Sequence, residues 1–291
     1  MSLTTSHTLI NPINGNLAFK MAYLVDAGNF DHIQRNNYYT LLWIKQGEGK
    51  VKVDFSEYEI GADYLFAFSP YQPFMLTGSN LAMQVIHFHP DFFCIHKHHA
   101  QVACNGVLFN NIYQPPFVIL NEQSKHTLEM AVAELRAEVQ NPALAQHELL
   151  VSYLKIILIT SSRLKAEQHA QANVQAGDSR EPFILQSLKE AIERDFKTKH
   201  TPSDYAATLN ISPKALARIT KNHFNKTLTD LIAERIIIEA KRELYLTNKT
   251  VKEIAYELGY QDEYYFSRFF KTNADVSPQL YRETVGVGRG M

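Results

Sequence analysis

The last hundred or so residues of this 291-residue chain carry one short pattern twice, about fifty residues apart. This internal repeat limits the fold more than any other feature. In the first copy, a helical stretch from Ser203 to Leu209 meets a turn at Asn210-Ile211, and a second helix runs from Ser212 to Lys221. Ser212 is placed to cap that helix, and Pro213 suits its first position, where the N–H has no helical partner anyway. In the second copy, Val251 to Leu258 is followed by a turn at Gly259-Tyr260-Gln261, a cap at Asp262 and a helix from Glu263 to Lys271. Alignment pairs Leu216-Ala217-Arg218 with Phe266-Ser267-Arg268, and Lys221 with Lys271. Leu216 and Ile219 are expected inside, with small Ala206 letting the helices approach; Lys214, Ala217, Arg218 and Lys221 face out. One helix-turn-helix pattern is a weak signal, and one arginine on a helix is ordinarily a solvated residue. Two copies in matching register point to helices built to enter a DNA major groove, where Arg reaches guanine edges or phosphate.

Charge agrees with this division. Residues 1–179 carry 11 Lys/Arg against 15 Asp/Glu, whereas residues 180–291 carry 18 against 15. The basic excess therefore lies with the repeat. Hydrophobic residues make up 45% of the chain, a globular composition, and no apolar run is long enough to span a bilayer. The N-terminus lacks a secretory signal pattern, and two cysteines, Cys94 and Cys104, form no disulfide framework, so the expected location is cytoplasmic.

From about Leu17 to Ile119 the chain reads as short strands rich in β-branched and aromatic residues. Examples are Tyr38–Ile44, Lys50–Phe55 and Tyr64–Phe68, with turns expected at Gly47-Glu48-Gly49, Gly61-Ala62-Asp63, Ser69-Pro70 and Thr77–Asn80. This spacing suggests a small barrel or sandwich. A helix capped by Ser124 is then expected to Gln140, with Leu128, Val132, Leu135 and Val139 on one stripe, and a second from about Ala145 to Lys165. Residues 166–181, polar and small, read as a linker. Phe183, Leu185, Leu188, Ile192 and Phe196 give a core stripe for the next helix, and residues 286–291 read as a tail.

Residues 182–285 resemble the DNA-binding domain of the AraC/XylS family, through Ala255, Leu258-Gly259-Tyr260, Tyr265-Phe266-Ser267-Arg268-Phe269-Phe270-Lys271, Ser277-Pro278 and Tyr281-Arg282. Leu228 to Leu244 resembles its connecting helix. The resemblance implies a sequence-specific regulator, activator or repressor, bound to double-stranded DNA, whose two recognition helices enter successive major grooves ~34 Å apart. It carries base contacts to Lys214, Ala217, Arg218, Glu263, Tyr264, Ser267 and Arg268. Lys221 and Lys271 are better placed for phosphate. Where the family usually has Gly after each recognition helix, this chain has Asn225 and Asp275, which tolerate the same left-handed backbone.

Residues 1–165 resemble, by layout, the cupin-type barrel found at the N-terminus of many family members. The fold class expected is therefore α+β in two domains: a cupin-like β-barrel with appended helices, then an all-α domain with two helix-turn-helix motifs. The family implies a small-molecule effector in the barrel, with Tyr23, Trp43, Phe66, Phe68 and His87 as candidate lining; each taken singly also reads as core. Residues 124–165 are the expected homodimer surface, and RNA polymerase is a further expected partner. His87 and His89 alternate onto one strand face at a spacing that could hold a metal. Against this, Gly47-Glu48-Gly49 and its flanks supply no histidine, and His96, His98 and His99 read as a surface turn. No metal, cofactor or enzymatic activity is expected, a cupin enzyme with an appended DNA domain being the alternative.

Overall fold

The computed structural model describes residues 5–12, 15–26, 28, 30–54, 56–175 and 180–286. Residues 176–179 of the expected linker and 287–291 of the expected tail lie outside them. Two compact units result: Met1–Asn111 with Pro115–Ala170, and Ile112–Gln114 with Gln171–Met291.

The first unit is an antiparallel sheet backed by helices. Its strands are β1 (Thr5–Ile10), β2 (Leu17–Val25), β3 (Tyr39–Val53), β4 (Ser56–Ile60), β5 (Tyr64–Phe68), β6 (Phe74–Phe88) and β7 (Phe117–Ile119). They hydrogen-bond in the order β1-β2-β6-β3-β5-β7, with β4 paired to β3. β1, mostly exposed at the sheet edge, falls outside the region read as strands.

Two of the expected turns are strand interior. Gly47-Glu48-Gly49 lies within β3 and Thr77–Asn80 within β6, and the two segments pair, Glu48 opposite Ser79 and Gly49 opposite Gly78. The glycines serve close approach here: a Cβ on Gly47 would sit 2.5 Å from the Asn80 carbonyl oxygen, and one on Gly49 2.1 Å from that of Thr77. Register shifts between Ile44 and Glu48 change which side of β3 faces in. Leu42 and Ile44 before the shift therefore share one core with Val51 and Val53 after it, although their numbering has opposite parity. The sheet folds over on itself around this core, in which Phe68 and Phe74 stack at 3.9 Å.

The other sheet face meets helices. After α1 (His99–Val102) come α2 (Glu122–Gln140) and α3 (Gln146–Gln175). Leu128, Val132 and Leu135 of α2, with Leu150, Leu154, Ile157 and Leu158 of α3, cover Leu41, Trp43 and Ile86 of the sheet. The α2 cap is Asn121, whose side chain accepts the Ser124 N–H at 2.8 Å; Ser124, the residue expected to cap, is two positions inside the helix from Glu122. α3 continues through residues 166–175, where three Ala and three Gln favour helix.

The second unit is all helix: α4 (Arg180–Asp195), α5 (Pro202–Thr208), α6 (Pro213–Phe224), α7 (Leu228–Leu246), α8 (Val251–Glu257), α9 (Glu263–Ala274) and α10 (Pro278–Val285). Leu185, Leu188, Ile192 and Phe196 are buried as expected, whereas Phe183 is 72% exposed. Five residues before Leu188 is some 140° round a helix, so Phe183 cannot share that stripe. α7 buries Leu231, Ile232, Ile236, Ile237, Ala240 and Leu244 and forms the unit's central strut.

Candidate nucleic-acid interface

The two repeats have the same local geometry, set by the same chemistry. α5 and α8 each begin with a capping box. Thr201 and Thr250 accept the N–H of Asp204 and Glu253, whose carboxylates return a bond to the cap backbone. Both helices end in the same left-handed turn, at Asn210 (φ 52) and Gly259 (φ 83). In each, the next N–H reaches back to an alanine carbonyl, Ile211 to Ala206 at 3.0 Å and Tyr260 to Ala255 at 2.9 Å. Ala206 and Ala255 are buried where the recognition helix crosses. The second turn is one residue longer. α6 and α9 are capped by Ser212 and Asp262, as the sequence suggests, and both end on a left-handed residue, Asn225 (φ 55) and Asp275 (φ 61).

The outward faces follow from this frame. On α6, Leu216, Thr220 and Phe224 point inward, leaving Lys214, Ala217, Arg218 and Lys221 exposed on one stripe. On α9, Phe266, Phe270 and Ala274 are inward, so Tyr264, Arg268 and Lys271 are exposed, while Glu263 and Ser267 are half-buried at the margin. Tyr264 is 75% exposed, although nothing apolar needs an aromatic ring there. Among the described residues, Lys214, Arg218, Lys221, Arg268 and Lys271 take part in no ion pair; Lys221 Nζ donates to the Asn225 carbonyl at 3.3 Å.

The cations of α7 and its neighbours are used differently. Arg235 pairs with Glu193 at 2.7 Å and with Glu239 at 3.3 Å, and Arg242 bridges Glu239 and Glu243. Lys249 joins Glu243 at 2.9 Å to Glu257 of α8 at 2.6 Å. Burial pushes the Glu239 carboxyl up, but Arg242 and then Arg235 outweigh it, and the net direction is down. Arg282 of α10 donates to the Leu244 and Lys249 carbonyls at the end of α7. At Gly259, a Cβ would lie 2.1 Å from the Lys197 carbonyl oxygen, so the second turn sits directly on the backbone after α4; Tyr260 stacks on His200 there at 4.7 Å. These contacts tie the second repeat, α10 and the end of α4 to one strut. The long-range ones, Arg235 to Glu193 and Arg282 to the Leu244 and Lys249 carbonyls, join residues 33 to 42 apart and have no local sign in the sequence; of the contact at Gly259 only the glycine itself is visible.

The candidates in the first unit do not come together. Trp43 sits in the core between sheet and helices, with half-buried Tyr23 on the same sheet face, since both register with Gln84. Phe66 and Phe68 belong to the core on the opposite face. His87 alternates onto that second face as well. Its Nδ1 lies 2.9 Å from Thr40 Oγ1, and burial, then Lys20, pulls its imidazole down to about 3. His89 lies beyond the strand, where its Nδ1 accepts the Asp91 N–H at 3.2 Å. Among the described residues no cluster of three or more His, Cys, Asp or Glu side chains could hold a metal. Cys94 and Cys104 are free and buried; burial pushes the Cys104 thiol up to about 12.

Paired caps, matched turns and two exposed helices on one strut define a double helix-turn-helix unit. Residues 205–284 match the helix-turn-helix domain family, and the unit is of the AraC type. The chain is 31% identical over 96 residues to the raffinose operon transcriptional regulatory protein RafR of Pediococcus pentosaceus, covering 33% of this chain and 35% of that protein. It is 36% identical over 84 residues to the HTH-type transcriptional activator Btr of Bacillus subtilis, covering 29% and 16%. The C-terminal domain of AraT, a response regulator from Geobacillus stearothermophilus, is 30% identical with a TM-score of 0.37, covering 39% of this chain and 94% of that one. The chain thus spans well under two thirds of the curated relatives RafR and Btr. No helix among the described residues is long and apolar enough to cross a membrane.

Proposed function

We propose that the chain is a sequence-specific transcription regulator of the cytoplasm, acting on double-stranded DNA through α6 and α9. The observation that carries this reading is the pair of geometrically matched recognition helices whose Lys and Arg side chains take part in no ion pair, beside an α7 whose two arginines are paired. In this reading Lys214, Ala217 and Arg218 read one major groove, and Glu263, Tyr264, Ser267 and Arg268 read the next. Lys221 and Lys271 neutralise phosphate. Ala217 offers a methyl contact to thymine, and Glu263 accepts from cytosine. Residues 182–285 form the DNA-binding domain and residues 1–165 the sensor and dimerisation domain. Support for a homodimer through residues 124–165 comes from Leu149 and Ile156, each 41% exposed and seven residues apart on α3. A small-molecule effector and RNA polymerase are the remaining proposed partners, and no enzymatic step is assigned.

Competition binding at fixed salt tests the reading. The full chain is expected to prefer sites recovered by selection over random DNA by at least ~10³-fold. Equal affinity for every duplex would overturn it.

A further inference from the structure

Three residues from early in the chain, Ile112–Gln114, belong to the second unit, which otherwise begins at Gln171. Ile112 is buried and Tyr113 half-buried. The Tyr113 hydroxyl donates to Glu193 Oε1 of α4 at 2.9 Å, and the other oxygen of that carboxylate accepts from Arg235 Nε of α7 at 2.7 Å. The Tyr113 ring lies 5.9 Å from that of Phe224, the last residue of α6, at an interplanar angle of 54°. Lys189 of α4 faces both rings, its Nζ 5.7 Å from the centre of Tyr113 and 5.6 Å from that of Phe224. Burial lowers the pKa of this lysine, and burial followed by the Glu193 charge raises that of the Tyr113 hydroxyl. One side chain from outside the repeats thus touches α4 and α6 and shares a carboxylate with α7.

The two repeats differ at this point. With the offset of fifty that aligns them, Thr220, Phe224 and Leu231 correspond to Phe270, Ala274 and Tyr281. Behind α9, Phe270 meets Tyr281 of α10 edge-on at 5.9 Å, and the buried Ala274 has no ring to cover. Behind α6 the ring sits at the helix end, on Phe224, and Leu231 stands where the second repeat has its tyrosine. Tyr113 supplies the missing aromatic partner. The second recognition helix is therefore braced by the element that follows it, and the first by a residue from much earlier in the chain. Of the two Tyr113 contacts the ring is worth more. Glu193 is half-exposed, so its hydrogen bond exchanges with water, whereas the ring shields Phe224, which is 7% exposed.

From this we infer that Tyr113 is a positioning residue for the first recognition helix: through Phe224 and Glu193 it sets where α6 stands, and with it the selectivity of the DNA element that α6 reads. The element read by α9 does not depend on it. The inference deepens the DNA-binding reading above and rests on it only for the effect on sequence preference.

Hydrogen exchange and selection of bound sequences, both on the full chain, test it. In Tyr113→Ala, backbone amides of α6 should exchange at least about fivefold faster while those of α9 stay unchanged. The variant should bind its selected site about tenfold more weakly, comparable to one mismatched base pair, and blur the element that Arg218→Ala blurs. Tyr113→Phe, which keeps the ring, should restore both the α6 protection and that element. Circular dichroism and the α9 amides check that the variants fold. Unchanged α6 exchange in Tyr113→Ala, equal loosening of α6 and α9, blurring of both elements, tighter binding to all DNA, or no rescue by Tyr113→Phe would overturn the assignment. If α6 loosens and is rescued in this way, but the unmodified chain selects no sequence, the positioning role stands and the DNA-binding reading fails instead.

Discussion

The two helix-turn-helix repeats share a backbone and differ in what they present. Both open on a threonine capping box, turn at a left-handed residue, and close on a second left-handed residue fifty positions apart. Yet α6 exposes three cations around Ala217, while α9 offers Tyr264 where α6 has Lys214, half-buried Glu263 and Ser267, and the matching Arg268 and Lys271. Their interiors differ too: α9 packs Phe266 and Phe270 against Tyr260 and Tyr281, whereas α6 buries Leu216 and Thr220. Caps and turns thus fix where a recognition helix stands, and the outward stripe is free to vary. The first face is suited to charge-driven contact, and the second to a more selective one.

The largest expected effect separates the two turns. Gly259→Val meets both a positive φ and the Lys197 carbonyl, and should cost about 3 kcal/mol or more in chemical denaturation. Asn210→Gly, at the equivalent turn, should stay within about 1 kcal/mol, since nothing there requires a side chain. A similar cost for both would break the claim that the second turn is the one pressed against the backbone that follows α4. Next come the arginines. Arg218→Ala and Arg268→Ala should each cost roughly 1–3 kcal/mol on a selected site, measured by fluorescence anisotropy, and relax preference in one half of it. Lys221→Ala and Lys271→Ala should weaken all duplexes alike and each lower the slope of log K against log salt by about 1. The smallest effect is expected from Glu263→Gln. It should raise affinity for random DNA by about 0.5 kcal/mol and so narrow the selectivity of the second face.

The repeat was legible because its determinants are local. Ser212, Pro213 and Asp262 announce helix starts, and the apolar spacing of Leu216 or Phe266 settles which side faces out. The sheet was less legible. Gly47-Glu48-Gly49 and Thr77–Asn80 carry ordinary turn chemistry, and only their mutual pairing across thirty residues makes them strand interior. Phe183 reads as part of the core stripe of α4, but its angle on the helix puts it outside. The pocket candidates divide for another reason: an alternating strand sends neighbours to opposite faces, and only the register puts Tyr23 and Trp43 on one face of the sheet and Phe66, Phe68 and His87 on the other. Within α7, Arg235–Glu239 and Arg242–Glu239 have ordinary helical spacing, whereas the Arg235–Glu193 link joins residues 42 apart and has no local sign in the sequence.

The central claim is that two recognition helices, one per repeat, read two separate DNA elements. Selection of bound sequences from a random duplex pool, run with the full chain and with Arg218→Ala and Arg268→Ala, tests it most directly. The account predicts two conserved elements per chain about 10 base pairs apart, one blurred by each variant while the other persists. A single element, or two elements lost together in either variant, would contradict it.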